Sequence, residues 1–483
     1  MRLSQLLDGE MQLRNAAGRD PEIAGLTADS RIAGRGYLFA ALPGAKQDGR
    51  GFVGEALRGG AAAILAAPGL DLPAGIPLIE AANPRRAFAR AASRFAGIQP
   101  RTVAAVTGTS GKTSVASFAR QLWQATGRPA ASLGTLGIVA PHQTRAGALT
   151  TPDPVALHAD LAELAQAGID HVAMEASSHG LDQCRLDGVK LAAAAFTNLS
   201  RDHLDYHATM PAYFAAKRRL FDTLLPLGAV AVLNADIPEY AALRAVCTER
   251  HHRVLSYGRA GADLKLVSAE PVPQGQKLVL EVLGISRTLV LPLAGTFQAA
   301  NMLAALGLAI GSGVPAFAAL DAVALLEGVP GRLQLVGTTK DGAAVFVDYA
   351  HKPDALATVL AALRPHVAGR LVVVFGCGGD RDVGKRPIMG KIAVENADRA
   401  IVTDDNPRSE DPVKIRKAIL AAAPGALEIA SREDAIRTAV SDLAAGDVLV
   451  IAGKGHEQGQ IVGDAVLPFD DVAHAQAALA GAQ

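Results

Sequence analysis

Val103-Ala-Ala-Val-Thr-Gly-Thr-Ser-Gly-Lys-Thr-Ser114 is the stretch around which the chain is organised. The apolar run from Val103 to Val106 reads as a buried strand, and apolar positions at helical spacing follow through Phe118 and Leu122 to Gly127. Between them, Thr107-Gly-Thr-Ser-Gly-Lys-Thr113 is a glycine loop opening onto a helix N-terminus. Converging backbone N–H groups, the close approach that Gly108 and Gly111 permit, and the positive end of the helix dipole together make an anion cradle. Lys112 is set to meet terminal phosphates, and the Thr113 hydroxyl to ligate Mg²⁺. The loop departs from G-x-x-x-x-G-K-[ST], because Val106 stands where the first glycine would be. A Gly-Thr-Ser turn ahead of an ordinary helix is the plainer alternative. The strand before the loop favours ATP or GTP binding.

At 483 residues the chain has room for about three domains. Lys+Arg and Asp+Glu both number 47, a net charge of zero that argues against a general nucleic-acid or anionic-membrane binder. No apolar run reaches the length of a membrane span, and the N-terminal residues lack a signal-peptide core. The three cysteines, Cys184, Cys247 and Cys377, form no C-x-x-C pair. These features predict a soluble protein of a reducing cytoplasm. Alternating strand and helix signals predict an α/β protein of three domains: a small α/β domain over residues 1–98, a central P-loop-type, mostly parallel sheet over 99–330, and a Rossmann-like domain over 331–483.

Downstream of the loop, apolar runs repeatedly end on polar clusters, where ligand sites of open α/β sheets lie. His171-Val-Ala-Met-Glu175 ends on a carboxylate, and the run 191–196 leads into Thr197-Asn-Leu-Ser-Arg-Asp-His-Leu-Asp-Tyr-His207. Glu175 and His203, with Asp202 and Asp205 beside the latter, suit Mg²⁺ together with a loop hydroxyl and nucleotide phosphates. Helix capping is the alternative for each residue alone. Lys217, in Lys217-Arg-Arg219, reads by spacing as a surface helix lysine, and Asn301 as a capping or packing residue on an apolar helix. Residues 264–293 carry β-rich runs, read as an antiparallel addition. Beyond the Pro330-Gly-Arg332 turn, four strand signals end in Asp348-Tyr-Ala-His351, Gly376-Cys-Gly-Gly-Asp-Arg-Asp382, Asp404-Asp-Asn-Pro-Arg408 and Gly453-Lys-Gly-His-Glu457, the outline of a substrate pocket. The second of these does not complete G-x-G-x-x-G.

Assembled in order, these stretches resemble the Mur ligases, the ATP-dependent amino-acid-adding enzymes of peptidoglycan synthesis. The resemblance runs through the phosphate loop, Thr150-Thr151, Met174-Glu-Ala-Ser-Ser-His-Gly180, Phe196 to His207, Asp348 to Asp354, Gly376 to Pro387, Asp405-Asn-Pro-Arg408 and Gly453 to Glu457. It implies that Gly108, Thr109, Ser110, Gly111, Lys112, Thr113 and Ser114 bind ATP, with Asn301, Arg332, Asp348 and His351 as further nucleotide contacts. Thr113, Glu175 and His203 become Mg²⁺ contacts. Lys217 becomes a carbamylated lysine supplying anionic oxygen, which reverses the reading from spacing. With Lys112, Glu175 and His203, it makes up the implied catalytic set. Ser30, Ala45, Lys46 and Gln47 match the uridine-nucleotide site, and Thr150, Thr151, Ser177, Gln183 and Arg185 the muramoyl-dipeptide site. Arg381, Asp405, Asn406, Pro407, Arg408, Gly453 and Glu457 match the amino-acid pocket. The Asp-Asn-Pro-Arg pattern is the one the family uses for meso-diaminopimelate.

The implied reaction joins meso-diaminopimelate to the D-glutamyl carboxylate of UDP-MurNAc-L-Ala-D-Glu through an acyl phosphate. The partners are small molecules only, and the chain is expected to act as a cytoplasmic monomer. An L-lysine-adding homologue, a folylpolyglutamate synthase-like ligase lacking the uridine domain, and an ATP-gated binding protein that does not ligate are the alternatives. Four positions depart from relatives: Ser110 and Gln298 stand where Asn is common, and Ala45 and Lys46 where some relatives have His-Gln.

Overall fold

A computed structural model describes residues 1–44, 47–272 and 275–481. It divides into two compact units, Met1–Lys265 with Leu303–Leu320, and Leu266–Met302 with Asp321–Gln483.

The first unit holds two sheets. In the N-terminal one the strand order is Gln12–Arg14, Leu78–Glu80, Ala63–Ala66, Tyr37–Ala41, Gly25–Thr27, parallel except at Gln12–Arg14. Helix Pro84–Ala96 starts cleanly because Asn83 accepts the Arg86 N–H and Pro84 needs no partner at the first turn. Its Ala87, Phe88, Ala91 and Ala92 fall on one face and pack into the core with Leu38, Leu65 and Ile79.

The larger sheet places seven strands in parallel, in the order Leu264–Val272, Arg253–Gly258, Val230–Asn234, Leu191–Phe196, Thr102–Thr107, His171–Glu175, Ala130–Gly134. Leu264–Val272, read from the sequence as part of an antiparallel addition, instead joins Arg253–Gly258 in parallel through Leu264 and Lys265. Gly137–Ala140 and Gln143–Arg145 continue it antiparallel. Thr102–Thr107 is buried along its whole length, which explains a run of small and β-branched residues with no polar alternation. The chain lays strands on one side of it, then crosses to Leu191–Phe196 on the other. The loop after Thr107 therefore sits at the point where strand order reverses, flanked by the C-terminal ends at Glu175 and Phe196.

In the second unit, Gly275–Val282 and Ile285–Leu291 pair antiparallel. The main sheet runs Gln334–Thr338, Ala344–Asp348, Val448–Ala452, Leu371–Phe375, Arg399–Val402, Leu427–Glu428, parallel throughout except at Gln334–Thr338. Val448–Ala452 and Leu371–Phe375 are buried throughout and lie at its centre. Beneath the strand ends lies a fully buried ion pair: Arg432 donates to both Asp471 carboxylate oxygens at 2.7 Å, and its Nη2 to Ala452 O at 2.9 Å. Deleting one member would strand the other charge in the interior, so Arg432→Met should lower unfolding stability by about 3–5 kcal/mol. Arg432→Met/Asp471→Leu should recover much of that loss in urea denaturation. Equal stability of the single variant and the wild type would show that the pair contributes nothing.

Candidate active site

The phosphate loop is shaped by contacts that require glycine. Gly108 has φ 143°, and a Cβ there would lie 1.9 Å from Thr197 Oγ1. Gly111 caps helix Lys112–Ala125 in the left-handed region, at φ 86°. Across the loop, Asn198 accepts the Ser110 N–H at 2.9 Å, Thr197 donates to Ser110 O at 2.6 Å, and the Thr109 N–H reaches Asn198 O at 2.9 Å. Two lysines close on the loop's carbonyls. Lys112 Nζ donates to Gly108 O (2.9 Å) and Thr109 O (2.8 Å), and the buried Lys217 Nζ donates to Gly108 O at 2.7 Å. Lys217 also stands 4.5 Å over the ring of Tyr213, whose hydroxyl meets Thr109 Oγ1 at 3.2 Å. Burial pushes that phenol up to about 12.

Glu175 is buried at its strand end and is surrounded by hydroxyls. Its Oε2 accepts from Thr113 Oγ1 (3.1 Å) and Thr135 Oγ1 (3.3 Å), and its Oε1 from the Thr135 N–H (2.7 Å). Thr135 Oγ1 also meets Thr150 Oγ1 at 3.0 Å. Thr151 Oγ1 donates to Glu175 O at 2.9 Å and accepts the Ser177 N–H at 3.0 Å. Arg185 donates to Thr151 O at 2.7 Å and to Gln183 Oε1 at 2.7 Å, so Thr150, Thr151, Ser177, Gln183 and Arg185 form one network around Glu175. His203 Nε2 lies 3.4 Å from Asp202 Oδ2, and its ring meets His179 edge-on at 4.8 Å. Ser30 stands apart from this network and donates to Glu55 Oε2 at 2.6 Å, while the Gln47 carbonyl accepts from Gly44. Ala45 and Lys46 lie outside the described residues. Thr135, Thr197 and Asn198 hold the site but were not singled out from the sequence, because lone hydroxyls and amides in loops carry no spacing signal.

The second unit gathers its own cluster at the strand ends. Asp348 is buried, and its carboxylate accepts the N–H groups of Leu333 (2.7 Å) and Ala350 (2.8 Å). Burial pushes it up to about 6, against the opposing pull of Arg332 and those two N–H groups. The Arg332 guanidinium lies 4.7 Å over the Tyr349 ring, and Gln298 links Asn301 to the Arg332 carbonyl. His351 is drawn down to about 4 by burial, and its Nδ1 meets Tyr349 O at 2.8 Å.

Asn406 exchanges hydrogen bonds with Lys454 (3.0 Å) and Glu457 (2.9 Å). A Cβ on Gly453 would lie 2.7 Å from Asp405 Oδ2, so the backbone must approach that carboxylate bare. Arg408 adopts φ 53°, and its Nη1 donates to Gly379 O at 2.9 Å and Asn406 O at 3.4 Å. It forms no ion pair with Glu410 or Asp411. Glu410 is bound by Arg386 at 2.8 Å, and Asp411 caps a helix by accepting the Val413 N–H. Arg381 donates to the neighbouring Asp380 O at 3.2 Å.

A strand–glycine-loop–helix unit with a buried carboxylate beside it, and a second parallel sheet with an Arg-bearing loop at its strand ends, are the build of an ATP-dependent ligase of the Mur type. The Mur ligase middle domain matches residues 106–309, and the Mur ligase glutamate ligase domain residues 331–455. The UDP-N-acetylmuramoyl-L-alanyl-D-glutamate–2,6-diaminopimelate ligase of Caulobacter vibrioides is 56% identical over 468 residues, 96% of each chain. The ligase of the same name from Rhizobium meliloti is 56% identical over 460 residues, 95% of each chain. A solved structure of a UDP-N-acetylmuramoyl-L-alanyl-D-glutamate–2,6-diaminopimelate ligase matches with a TM-score of 0.71 at 34% identity, covering 95% of each chain. The chain belongs to the Mur ligase family.

Asp348 and His351 predict opposing pH effects. Between its ordinary value of 3.8 and about 6, the folded chain keeps a proton on Asp348 that the unfolded chain has lost. This group's stabilisation is therefore complete at low pH and disappears as pH rises through about 6. His351 works the other way: between about 4 and 6.5 the unfolded chain holds a proton that the folded one lacks, so stability rises with pH. Asp348→Asn removes the first slope and leaves the second. The stability difference should move in the variant's favour by on the order of 3 kcal/mol between pH 4 and pH 7. Thermal melts across that range test it, and a difference independent of pH would mean that Asp348 titrates as an ordinary carboxylate.

Proposed function

We propose that this chain joins meso-2,6-diaminopimelate to the D-glutamyl carboxylate of UDP-MurNAc-L-Ala-D-Glu, with ATP converted to ADP and phosphate, in peptidoglycan precursor synthesis. The observation that carries this reading is Arg408, a guanidinium beside the buried Asp405 and Asn406 that is not paired with the following Glu410 or Asp411, which are bound by Arg386 and by a helix N-terminus. meso-Diaminopimelate differs from L-lysine by a carboxylate on its distal carbon, and a guanidinium fork matches that planar group where an ammonium does not. Asp405 or Glu457 accepts from the distal amine. Residues 1–98 take the uridine nucleotide through Ser30 and the segment around Gln47, residues 99–330 the phosphates, and residues 331–483 the amino acid. Thr150, Thr151, Ser177, Gln183 and Arg185 hold the muramoyl dipeptide, and Asn301, Arg332, Asp348 and His351 contact the nucleotide.

A carboxylate is a poor electrophile, so ATP first turns one of its oxygens into a leaving group. The γ-phosphoryl group passes to the D-glutamyl carboxylate and ADP departs. The amine then attacks the acyl carbon, phosphate leaves with the C–O bond electrons, and the nitrogen gives up a proton. The loop N–H groups and Lys112 position the phosphates and offset the developing negative charge. Lys112 leaves two backbone carbonyls to do so, a short swing for a flexible side chain.

Thr113 and Glu175 are 3.1 Å apart and present oxygen ligands at the loop, which suits Mg²⁺. With His203 and a carbamylated Lys217, they would hold the ion. Bound there, Mg²⁺ would neutralise phosphate charge. A carbamate nitrogen retains one N–H, a donor for Gly108 O, while anionic oxygens would replace the ammonium. No helix among the described residues is long and apolar enough to cross a membrane. A cytoplasmic monomer acting on small molecules, without nucleic acid, fits an enzyme of ATP and a uridine nucleotide.

Incubation with ATP, the UDP-muramoyl dipeptide and a panel of amino acids, read by mass spectrometry, tests the reading. The expected product contains meso-diaminopimelate, preferred over L-lysine by about 10⁴-fold in kcat/KM. Arg408→Ala should remove that preference without weakening ATP binding, and Lys112→Ala should abolish turnover in a folded protein. Absence of any ligated product would overturn the function, and equal kcat/KM for the two amino acids would overturn the role of the loop. Lys217→Ala should be inactive and partly restored by a short carboxylic acid. Full activity without rescue would return Lys217 to a packing role.

A further inference from the structure

Lys454 is buried completely, and nothing in the reading above gives it a task. An ammonium is expensive to bury unless it is paired and hydrogen-bonded. Gly453 (φ 118°) and Gly455 (φ 58°) turn the chain sharply after strand Val448–Ala452, and the lysine between them points inward. Its Nζ donates to Asn406 Oδ1 and to Glu457 Oε2, each at 3.0 Å. Asn406 Nδ2 donates to the same Oε2 at 2.9 Å. Asn406 Oδ1 also accepts the Ile461 N–H at 2.9 Å, which fixes the amide's orientation. Both donors meet at Oε2, so the Glu457 carboxylate is held in place, with the Tyr349 hydroxyl beside it.

The hairpin of Gly459–Val462 and Ala465–Pro468 completes the clamp. Gln460 Nε2 donates to Asp405 O at 2.6 Å, the Arg408 N–H to Ile461 O at 3.0 Å, and the Gly463 N–H to Arg408 O at 2.8 Å. Arg408 sits at φ 53°, a backbone region that arginine rarely adopts unaided, and the hairpin bonds grip both sides of it.

We propose that Lys454, with the hairpin carrying Gln460, is the positioning element that fixes the spacing between the Arg408 fork and the Glu457 acceptor. It thereby selects an amino acid bearing a carboxylate and an ammonium on one distal carbon. This rests on the diaminopimelate reading of the site. Lys454 touches neither group of the ligand and acts through Asn406 and Glu457. A neutral, similar-sized side chain would leave Glu457 and Asn406 without their shared cation and free the two loops to drift. A one-ångström error is enough to lose a paired contact.

The test compares wild type, Lys454→Met and Gln460→Ala in steady-state kinetics with meso-diaminopimelate and with L-lysine, alongside thermal melts. Lys454→Met should raise KM for meso-diaminopimelate at least tenfold and shrink its preference over L-lysine, with KM for ATP and for the UDP-muramoyl dipeptide unchanged. Gln460→Ala, which removes one bond without burying an orphan charge, should move the same ratio by about fivefold. A role confined to packing would lower the melting temperature and kcat for both amino acids alike, leave the ratio intact in both variants, and overturn the proposal. If Lys454→Met does not fold, Gln460→Ala decides alone. A wild type with no preference for meso-diaminopimelate would overturn the underlying reading and the proposal with it. A selective wild type with unchanged ratios in the variants would overturn the proposal only.

Discussion

Two ammonium groups converge on one carbonyl. Lys112, from the first turn of the helix after the loop, and Lys217, from a helix more than a hundred residues later, both donate to Gly108 O. That arrangement exists only because Gly108 has no side chain: the space a Cβ would take is held by Thr197 Oγ1, and the φ of 143° is one that only glycine adopts easily. Thr197 and Asn198 tie the loop to the neighbouring strand end. These bonds fix the loop's backbone, so binding anions need not order it first.

The parallel sheet makes this possible by placing three strand ends side by side. Thr102–Thr107, His171–Glu175 and Leu191–Phe196 are neighbours in register, so the loop, the Glu175 carboxylate and the Thr197-Asn198 pair emerge together. Aliphatic residues buried on both faces hold the strands, and polarity begins where the strands end. The second unit repeats the device with Asp348, Asp405-Asn406 and Gly453 at the ends of Ala344–Asp348, Arg399–Val402 and Val448–Ala452.

This rule explains what could be read from the sequence. A strand buried on both faces writes itself as an apolar run, and its end is marked by the first charged residue, so Glu175, Asp348 and the Asp405 loop were legible without coordinates. Lys217 was not. In a Lys-Arg-Arg run it looks like a solvated helix face, yet it is 1% exposed because its turn packs against the phosphate loop and the Tyr213 ring. Only family resemblance singled it out. Lys454 was passed over for the opposite reason: a lysine between glycines looks like loop surface, and its burial depends on Asn406, 48 residues away. The Arg432–Asp471 pair, separated by 39 residues, has no local signature. Long-range pairing of charges is what a single sequence conceals, since either partner alone is more often a surface residue.

On the proposed function, the two anion sites solve different problems and are built differently. A phosphate is nearly spherical, carries more than one charge and changes its bonding during transfer. It is best met by several backbone N–H groups and by lysines, whose ammonium is a point charge on a flexible stem. The loop provides this, with Lys112 resting on carbonyls it can leave. A carboxylate that must be told apart from a hydrogen atom is planar and does not react, and recognising it rewards rigidity. Arg408 brings a planar fork, but a fork discriminates only if its backbone does not move. Hence the hairpin bonds to Arg408 N and O, the amide of Asn406 fixed by Ile461, and a buried cation joining Asn406 to Glu457. On the proposed function, rate is served by the lysine on its flexible stem and choice by the arginine held in its loop, and the buried polar groups around each fit that division.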